Sequence, residues 1–101
     1  MSLATDLEAI DFADEEGTYV SLLGSRALAG TLRAQDLQNP HGGRGAFERA
    51  LERAGLNKSS TLSAARAPNA LAGYLELHIE QGPRLALSGT DIGIVTNIVG
   101  I

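Results

Sequence analysis

Residues 74–80 alternate strictly between apolar and polar side chains, and this pattern restricts the chain more than any other local feature. In a β-strand, Leu75, Leu77 and Ile79 would point to one face and the polar residues between them to the other. Gln81-Gly82-Pro83 follows and would end the strand. The pattern therefore predicts a β-strand over residues 74–80 with His78 on its polar face.

A second strand is predicted over residues 92–101, which are rich in β-branched side chains. This apolar segment runs to the last residue of the chain, whereas a native domain rarely ends in an apolar strand without a polar tail. We therefore expect the chain to be an internal piece of a longer protein.

The clearest helical signal lies near the middle of the chain. Phe47, Ala50, Leu51 and Ala54 have the spacing i, i+3, i+4 and i+7, and Gly55 follows as a candidate C-cap. Charged residues occupy the opposite face. The spacing predicts an amphipathic helix that needs a partner surface.

Three other segments give weaker local predictions. Residues 22–30 have some helical propensity between glycines, and residues 39–45 form a loop because they contain Pro and several Gly. Residues 58–69 are polar and rich in Ala, which indicates a connection.

Residues 7–12 fit two structures. Leu3, Leu7 and Ile10 have helical spacing, while Ile10 and Phe12 alternate as in a strand. Periodicity alone favours a helix.

The composition limits the core that the chain can build. Its 101 residues suit one small domain, and 44% are hydrophobic, as is normal for a globular protein. Only 4% are aromatic and Trp is absent, so the core must consist of Leu, Ile, Val and Ala. Such a domain would be marginally stable alone, which is a first indication that it is incomplete.

Charge and residue usage exclude several classes of partner. The net charge is −4 and no basic stripe is present, which argues against nucleic-acid binding. No apolar run approaches the roughly 20 residues that span a membrane. Cys is absent, which excludes disulfides and thiolate metal sites. Nothing marks the N-terminus for export, so a cytoplasmic location is expected.

Two places could carry chemistry: the acidic run Asp14-Glu15-Glu16-Gly17, and His78. Carboxylate and imidazole together suit zinc or manganese, and a carboxylate that is not a ligand could act as a general base. Without further information these signals are weak, because adjacent acidic residues are usually solvated and a single His on a strand is usually structural.

Residues 73–83, Gly-Tyr-Leu-Glu-Leu-His-Ile-Glu-Gln-Gly-Pro, resemble a signature of the N-carbamoyl-L-amino acid hydrolases, allantoate amidohydrolases and β-ureidopropionases. Residues 10–17, 22–30 and 93–100 resemble further family segments in the same order. The resemblance covers most of this chain but only a central portion of a usual family member.

The resemblance implies a role for four residues. Glu15 matches the general base that activates water, and Glu16 matches a ligand of one metal ion. His78 matches a ligand of the other metal ion, and Gln81 matches a residue that contacts the substrate. Two divalent ions, which could be zinc, manganese, nickel or cobalt, and a small ureido or carbamoyl substrate are thereby implied.

Several family residues have no counterpart in this chain. Members carry upstream a His and an Asp that bridges the metals, and downstream a further His, an Asn and an Arg. His41 is at no matching position and is expected to be solvent-exposed. We therefore expect the chain alone to be inactive. The alternative is a non-catalytic remnant that acts as an oligomerisation or interaction module.

The resemblance also implies an α/β fold, namely part of a zinc-exopeptidase-like catalytic domain with a mixed sheet flanked by helices. It favours a strand rather than a helix for residues 7–12, with Glu15 and Glu16 at its carboxyl end. Residues 1–91 would form a partial metal-binding catalytic domain, and residues 92–101 would begin the lid or dimerisation domain. The unpaired strand edge and the apolar helix face suggest self-association, and a homo-oligomer is expected.

Overall fold

The computed structural model describes residues 4–98, and helices are the regular secondary structure within them. The α-helices are α1 (Leu23–Ala29), α2 (Arg44–Arg53), α3 (Lys58–Leu62) and α4 (Arg84–Ser88), and short 310 helices lie at Ala34–Leu37 and Pro68–Ala70. Residues 4–98 form no β-strand. None of the helices in this range is long and apolar enough to cross a membrane.

Helix α2 is the amphipathic helix that the apolar spacing predicts. Phe47 is 1% exposed and Leu51 is 6% exposed, so the predicted face does lie in the core. Ala50 is half-buried, whereas Ala54 is exposed because the helix ends there. The prediction is confirmed for the first three of these four positions.

The end of α2 is fixed by the glycine that the sequence indicates. Gly55 has φ +72°. Its amide donates to the Glu52 carbonyl at 2.9 Å, and the Leu56 amide donates to the Leu51 carbonyl at 2.8 Å. This pair of bonds is a Schellman motif, which satisfies the last carbonyls of the helix.

The hydrophobic core is built from residues of α1, α2 and the segments around them. Its buried members are Val20, Leu23, Ala27, Leu32, Leu37, Phe47 and Leu51. Tyr19 and Leu62 pack against this cluster, and the Tyr19 ring lies 5.7 Å from the Phe47 ring at an angle of 42°. The core therefore joins residues 19–62 into one unit. The expectation of a core made of Leu, Ile, Val and Ala alone is wrong, because Phe47 lies at its centre and Tyr19 packs on it.

Helix α1 confirms the helical propensity of residues 22–30, and it contacts the preceding acidic segment closely. A Cβ on Gly24 would lie 2.8 Å from the Ala13 amide nitrogen and 3.1 Å from Phe12 Cβ. The Gly24 amide donates to the Ala13 carbonyl at 2.9 Å. Only glycine allows this approach, so Gly24 places the acidic segment against α1.

An ion pair joins α1 to the first 310 helix. The Asp36 carboxylate accepts from Arg26 Nη2 at 2.5 Å and from the Arg33 amide at 2.8 Å. Both charged side chains are partly buried. One carboxylate thus holds the segment between α1 and Ala34–Leu37 in place.

The prediction that residues 58–69 are only a connection is wrong for its first five residues, which form α3. The Asn57 side chain accepts from the Ser60 amide at 2.9 Å, and the Ser60 hydroxyl accepts from the Asn57 amide at 2.9 Å. Thr61 is buried and its hydroxyl donates to the Asn57 carbonyl at 2.8 Å. This reciprocal cap is the sequence signal for the helix, and apolar periodicity does not reveal it.

Neither predicted strand is paired among the described residues. Residues 74–80 and 92–98 have no regular secondary structure, and Leu75, Leu77 and Ile94 are 99%, 91% and 90% exposed. A strand is stable only when its backbone groups bond to a neighbour and its apolar face is covered. Residues 99–101 of the second predicted strand lie outside the described residues. The mixed sheet stays a prediction.

Residues 7–12 also lack regular secondary structure, so the structure contains neither the helix nor the strand considered for them. The loop predicted at residues 39–45 is present up to residue 43, and residues 44 and 45 belong to α2. The turn at residues 81–83 is present as well, and α4 follows it.

The chain is more open after α3 than before it. Between residues 63 and 98, every residue except Glu80 and Leu85 is exposed to solvent, and these two are half-buried. The Cα radius of gyration is 17.0 Å, against about 13 Å for a compact domain of this length. The structure thus combines a packed helical part with an extended C-terminal part.

Replacing Gly55 with Ala should lower the free energy of unfolding by about 1–2 kcal/mol, because a Cβ disfavours the left-handed φ of +72°. No atom lies within 4 Å of that Cβ position, so the cost comes from the backbone alone. Denaturant unfolding followed by circular dichroism measures the change.

Gly45→Ala is the matched control, since Gly45 lies inside α2 and Ala is the better helix former by about 0.5–1 kcal/mol. The added Cβ meets only the end of the flexible Arg49 side chain, at 3.3 Å. The two substitutions should therefore have opposite signs, and equal destabilisation would contradict the assignment of strain to Gly55.

Candidate active site

Residues 13–20, called the acidic loop below, precede α1 and carry the predicted general base and one predicted metal ligand. The loop is organised by Asp14, which has φ +58°. Its carboxylate accepts from the amides of Thr18 at 2.5 Å, Tyr19 at 2.9 Å and Val20 at 2.8 Å. The loop is therefore closed by one side chain.

Glu15 and Glu16 have different surroundings, as expected for adjacent residues that point in different directions. Glu15 is half-buried, and its Oε2 accepts from the Ser25 amide at 3.2 Å. Its carbonyl accepts from the Leu22 amide, also at 3.2 Å. Glu16 is exposed to solvent. The structure thus holds Glu15 against α1 and leaves the Glu16 carboxylate accessible.

His78 and Gln81 lie in the exposed C-terminal part. His78 Nδ1 is 2.6 Å from the Ile79 carbonyl oxygen. Because a carbonyl oxygen can only accept, Nδ1 carries the proton and Nε2 of the neutral ring keeps its lone pair. Metal-binding histidines commonly have this arrangement. Gln81 is exposed and has φ +43° within the turn that precedes α4.

The described residues do not assemble a complete metal site. No group of three or more His, Asp and Glu side chains that could hold a metal ion occurs among residues 4–98. Glu16 and His78 each carry a suitable donor atom, but among residues 4–98 neither of them belongs to a cluster of three such side chains.

Tyr74, the second residue of the 73–83 motif, forms a hydrogen bond with a glutamate of the same motif. Its hydroxyl donates to Glu76 Oε2 at 2.9 Å. The pKa of Tyr74 is raised above its usual 10.0, mainly by this bond, then by desolvation, the Glu76 charge and the Glu15 charge. The Glu76 carboxylate is thus the main partner of the Tyr74 hydroxyl.

A cavity of about 380 Å³ lies between these elements. It is open to solvent and is lined by Ser25, Leu28 and Ala29 of α1 and by Phe12, Arg66, Pro68, Leu71 and Tyr74. Arg66 is held by a two-pronged ion pair with Glu8, at 2.5 and 2.6 Å, and by its amide, which donates to the Leu28 carbonyl. Since Ser25 also binds the Glu15 carboxylate, the cavity adjoins the predicted general base.

Comparison with known proteins supports the resemblance. The chain is 40% identical over 97 residues, 94% of its length, to an N-carbamoyl-L-amino acid amidohydrolase from Geobacillus stearothermophilus. It is 37% identical over 93% of its length to an allantoate amidohydrolase from Bacillus subtilis, and 34% identical over 97% to an allantoate deiminase from Glycine max. It covers 24%, 23% and 21% of these three proteins.

The chain is homologous to a segment of these amidohydrolases. The resemblance inferred from residues 73–83 and from the three supporting segments is thereby confirmed. The chain spans about a quarter of the length of the curated relatives that it matches. No protein-family model matches the chain, and no solved structure matches it.

Three residues of the chain have contacts that the sequence did not reveal. Asp14 binds three amides, and the Tyr74 hydroxyl donates to the Glu76 carboxylate. His41 is exposed as expected, yet it contacts the acidic loop twice. Its Nδ1 lies 3.1 Å from the Gly17 carbonyl oxygen, and its amide donates to the Tyr19 carbonyl at 2.9 Å. An Asp in a turn often accepts from nearby backbone amides, but the sequence alone does not say which amides Asp14 binds.

Glu76→Gln should lower the pKa of Tyr74 towards its usual 10.0, because the largest cause of the increase is the bond to the Glu76 carboxylate. Tyrosinate absorbance against pH measures this in a Tyr19→Phe background, where Tyr74 is the remaining tyrosine. Since the pKa is raised in the folded state, the contact contributes stability below pH 10 that is lost as pH rises through the raised pKa. Glu52→Gln, on the exposed face of α2, is the control, and an equal change in both variants would refute the contact.

Proposed function

We propose that this chain is part of the catalytic domain of a metal-dependent amidohydrolase that cleaves linear C–N bonds of N-carbamoyl amino acids, allantoate or similar ureido compounds. Its relatives named for these substrates are 34–40% identical across nearly the whole chain. This homology is the observation that carries the proposal. The longer protein, not the 101-residue chain alone, would perform the reaction.

Glu15 is proposed as the general base. One oxygen of its carboxylate is bound to the Ser25 amide, which fixes the direction of the side chain. The other oxygen would accept a proton from the attacking water and deliver it to the leaving nitrogen. Its half-buried position beside a cavity suits a group that must meet a small substrate.

Glu16 and His78 are proposed as ligands of two divalent metal ions, and Gln81 as a substrate contact. The exposed Glu16 carboxylate and the free lone pair of His78 Nε2 are donors that zinc, manganese, nickel and cobalt accept. When bound, such ions polarise the substrate carbonyl and acidify water. The remaining ligands would come from other parts of the longer protein, as the family resemblance implies.

The α/β fold with a mixed sheet is proposed for that longer protein as well. The alternation of residues 74–80 and the β-branched side chains of residues 92–98 suit strands, and their apolar side chains are exposed in this chain. Residues 1–91 would belong to the catalytic domain and residues 92–101 to the start of the lid or dimerisation domain. A cytoplasmic location and a homo-oligomeric state remain part of the same proposal.

A hybrid enzyme tests the role of Glu15 directly. The segment of the Geobacillus stearothermophilus amidohydrolase that aligns with this chain would be replaced by this chain, and hydrolysis of an N-carbamoyl amino acid would be measured. Glu15→Gln should lower kcat by about 10²–10⁴-fold, the usual contribution of a general base. Glu52→Gln, which removes the same charge from the exposed face of α2, should leave kcat unchanged.

If Glu15→Gln retained the activity of the hybrid enzyme, the proposed function would be wrong at its central residue. Circular dichroism of both variants shows whether they fold alike, so that a folding defect is not counted as a catalytic one.

The 101-residue chain alone should not hydrolyse N-carbamoyl amino acids, whether or not zinc or manganese is added, because the family ligands outside it are missing. Product formation by the isolated chain that disappears in Glu15→Gln would show that the chain is sufficient. This assay is independent of the hybrid enzyme.

The alternative function is an oligomerisation or interaction module without catalysis. The observation that favours it is the exposure of Leu75, Leu77 and Ile79 on one face of residues 74–80. The hybrid enzyme distinguishes the two, because both hypotheses allow an oligomer. A hybrid enzyme whose activity is unchanged by Glu15→Gln, together with a defined oligomer of the isolated chain in sedimentation, would support the alternative.

A further inference from the structure

The two carboxylate oxygens of Asp14 divide three amides between them. Oδ1 accepts from Thr18, and Oδ2 accepts from both Tyr19 and Val20. A carboxylate is an acceptor at both oxygens, and bonds from amides to a charged acceptor are stronger than bonds between neutral groups. An asparagine would offer only one acceptor oxygen. Its NH2 group would face a backbone N–H group, and neither of the two can accept the other's hydrogen bond. The geometry therefore requires Asp.

The far end of the acidic loop is anchored in the core. Val20 is 7% exposed, and the ring of Tyr19 packs on Phe47. The bonds from these two amides to Asp14 connect the anchored end with the start of the loop. The position of the Asp14 backbone thus depends on the core through its own side chain.

The Asp14 backbone also bonds to its surroundings. With φ +58° it turns sharply, and its carbonyl accepts from the amides of Gly17 at 3.3 Å and Leu23 at 3.4 Å. A left-handed conformation at a residue other than Gly is unfavourable and persists only when contacts enforce it. Glu15 and Glu16 follow immediately, so their directions are set by this turn.

His41 supports the loop from the outside. Its Nδ1 donates to the Gly17 carbonyl, and its amide donates to the Tyr19 carbonyl. Gly17 has φ +78°, and a Cβ there would lie 3.1 Å from the Ser21 Cα. The loop is therefore restrained on both sides, with Asp14 making the larger number of bonds.

We infer that Asp14 is a positioning residue for the Glu15–Glu16 pair, whose carboxylate fixes the turn from which both side chains project. The inference rests on the proposed function for the roles of Glu15 and Glu16, but the positioning itself is a property of this chain. Asp14 touches neither substrate nor metal in this proposal and acts through the backbone of its neighbours.

The test uses NMR spectroscopy of the full 101-residue chain. In Asp14→Ala, exchange of the Thr18, Tyr19 and Val20 amide protons should accelerate roughly tenfold or more, because the charged acceptor of all three is removed. The nuclear Overhauser effect between the Glu15 side chain and the Ser25 amide proton should disappear. Asp14→Asn keeps one acceptor oxygen and should give an intermediate result, which covers the case in which Asp14→Ala does not fold.

Asp11→Ala is the matched control, since Asp11 is an exposed Asp just before the acidic loop. It should leave both measurements unchanged. Side-chain resonances of Phe47 and Leu51 report whether the core is intact in each variant. If the core is intact and the contact between Glu15 and Ser25 survives in Asp14→Asn and Asp14→Ala, Asp14 does not position Glu15.

The hybrid enzyme separates this inference from the proposed function. A positioning role predicts that Asp14→Asn lowers kcat by less than Glu15→Gln and leaves KM nearly unchanged. If Glu15→Gln has no effect on kcat while the NMR contact is lost in Asp14→Ala, the proposed function fails and the positioning of Glu15 stands. If kcat depends on Glu15 but the NMR contact between Glu15 and Ser25 survives in Asp14→Ala, the proposed function stands and the positioning role of Asp14 is wrong.

Discussion

Burial of the Phe47 side chain is the packing interaction on which the ordered part of this chain depends. The ring is 1% exposed, and in a chain with only 4% aromatic residues it fills much of the core. Burying a Phe side chain contributes roughly 1.5–3 kcal/mol, which is a large share of the net stability of a small domain. Tyr19 packs on the same ring and belongs to the acidic loop, so this contact connects the core with the candidate site.

Local patterns predicted the elements whose stability is decided within a few residues. The spacing of Phe47 and Leu51 and the glycine at position 55 were sufficient for α2, because a helix closes its own hydrogen bonds. Helix α3 was not predicted, because its sequence signal is the cap formed by Asn57 and Ser60 and not a regular spacing of apolar residues. The strand pattern of residues 74–80 describes which face should be apolar, but pairing requires a neighbour that the pattern cannot supply.

The residues of the candidate site could be identified from the sequence, but their contacts could not. Glu15, Glu16, His78 and Gln81 were identified by resemblance, since each residue type alone is common on protein surfaces. The bond from the Ser25 amide to Glu15 could not be predicted, because it depends on how α1 packs beside the acidic loop. The role of Asp14 depends on a left-handed backbone that no local pattern required.

The location of the core between residues 20 and 51, with Leu62 packed against it, has a consequence for the order of assembly during synthesis. Contacts between residues that are close in sequence close short loops at a small entropic cost, and chains with such contacts fold quickly. Residues 20–62 leave the ribosome before residues 74–98. The core can therefore form first, and the segments with exposed apolar side chains emerge beside a structure that is already folded.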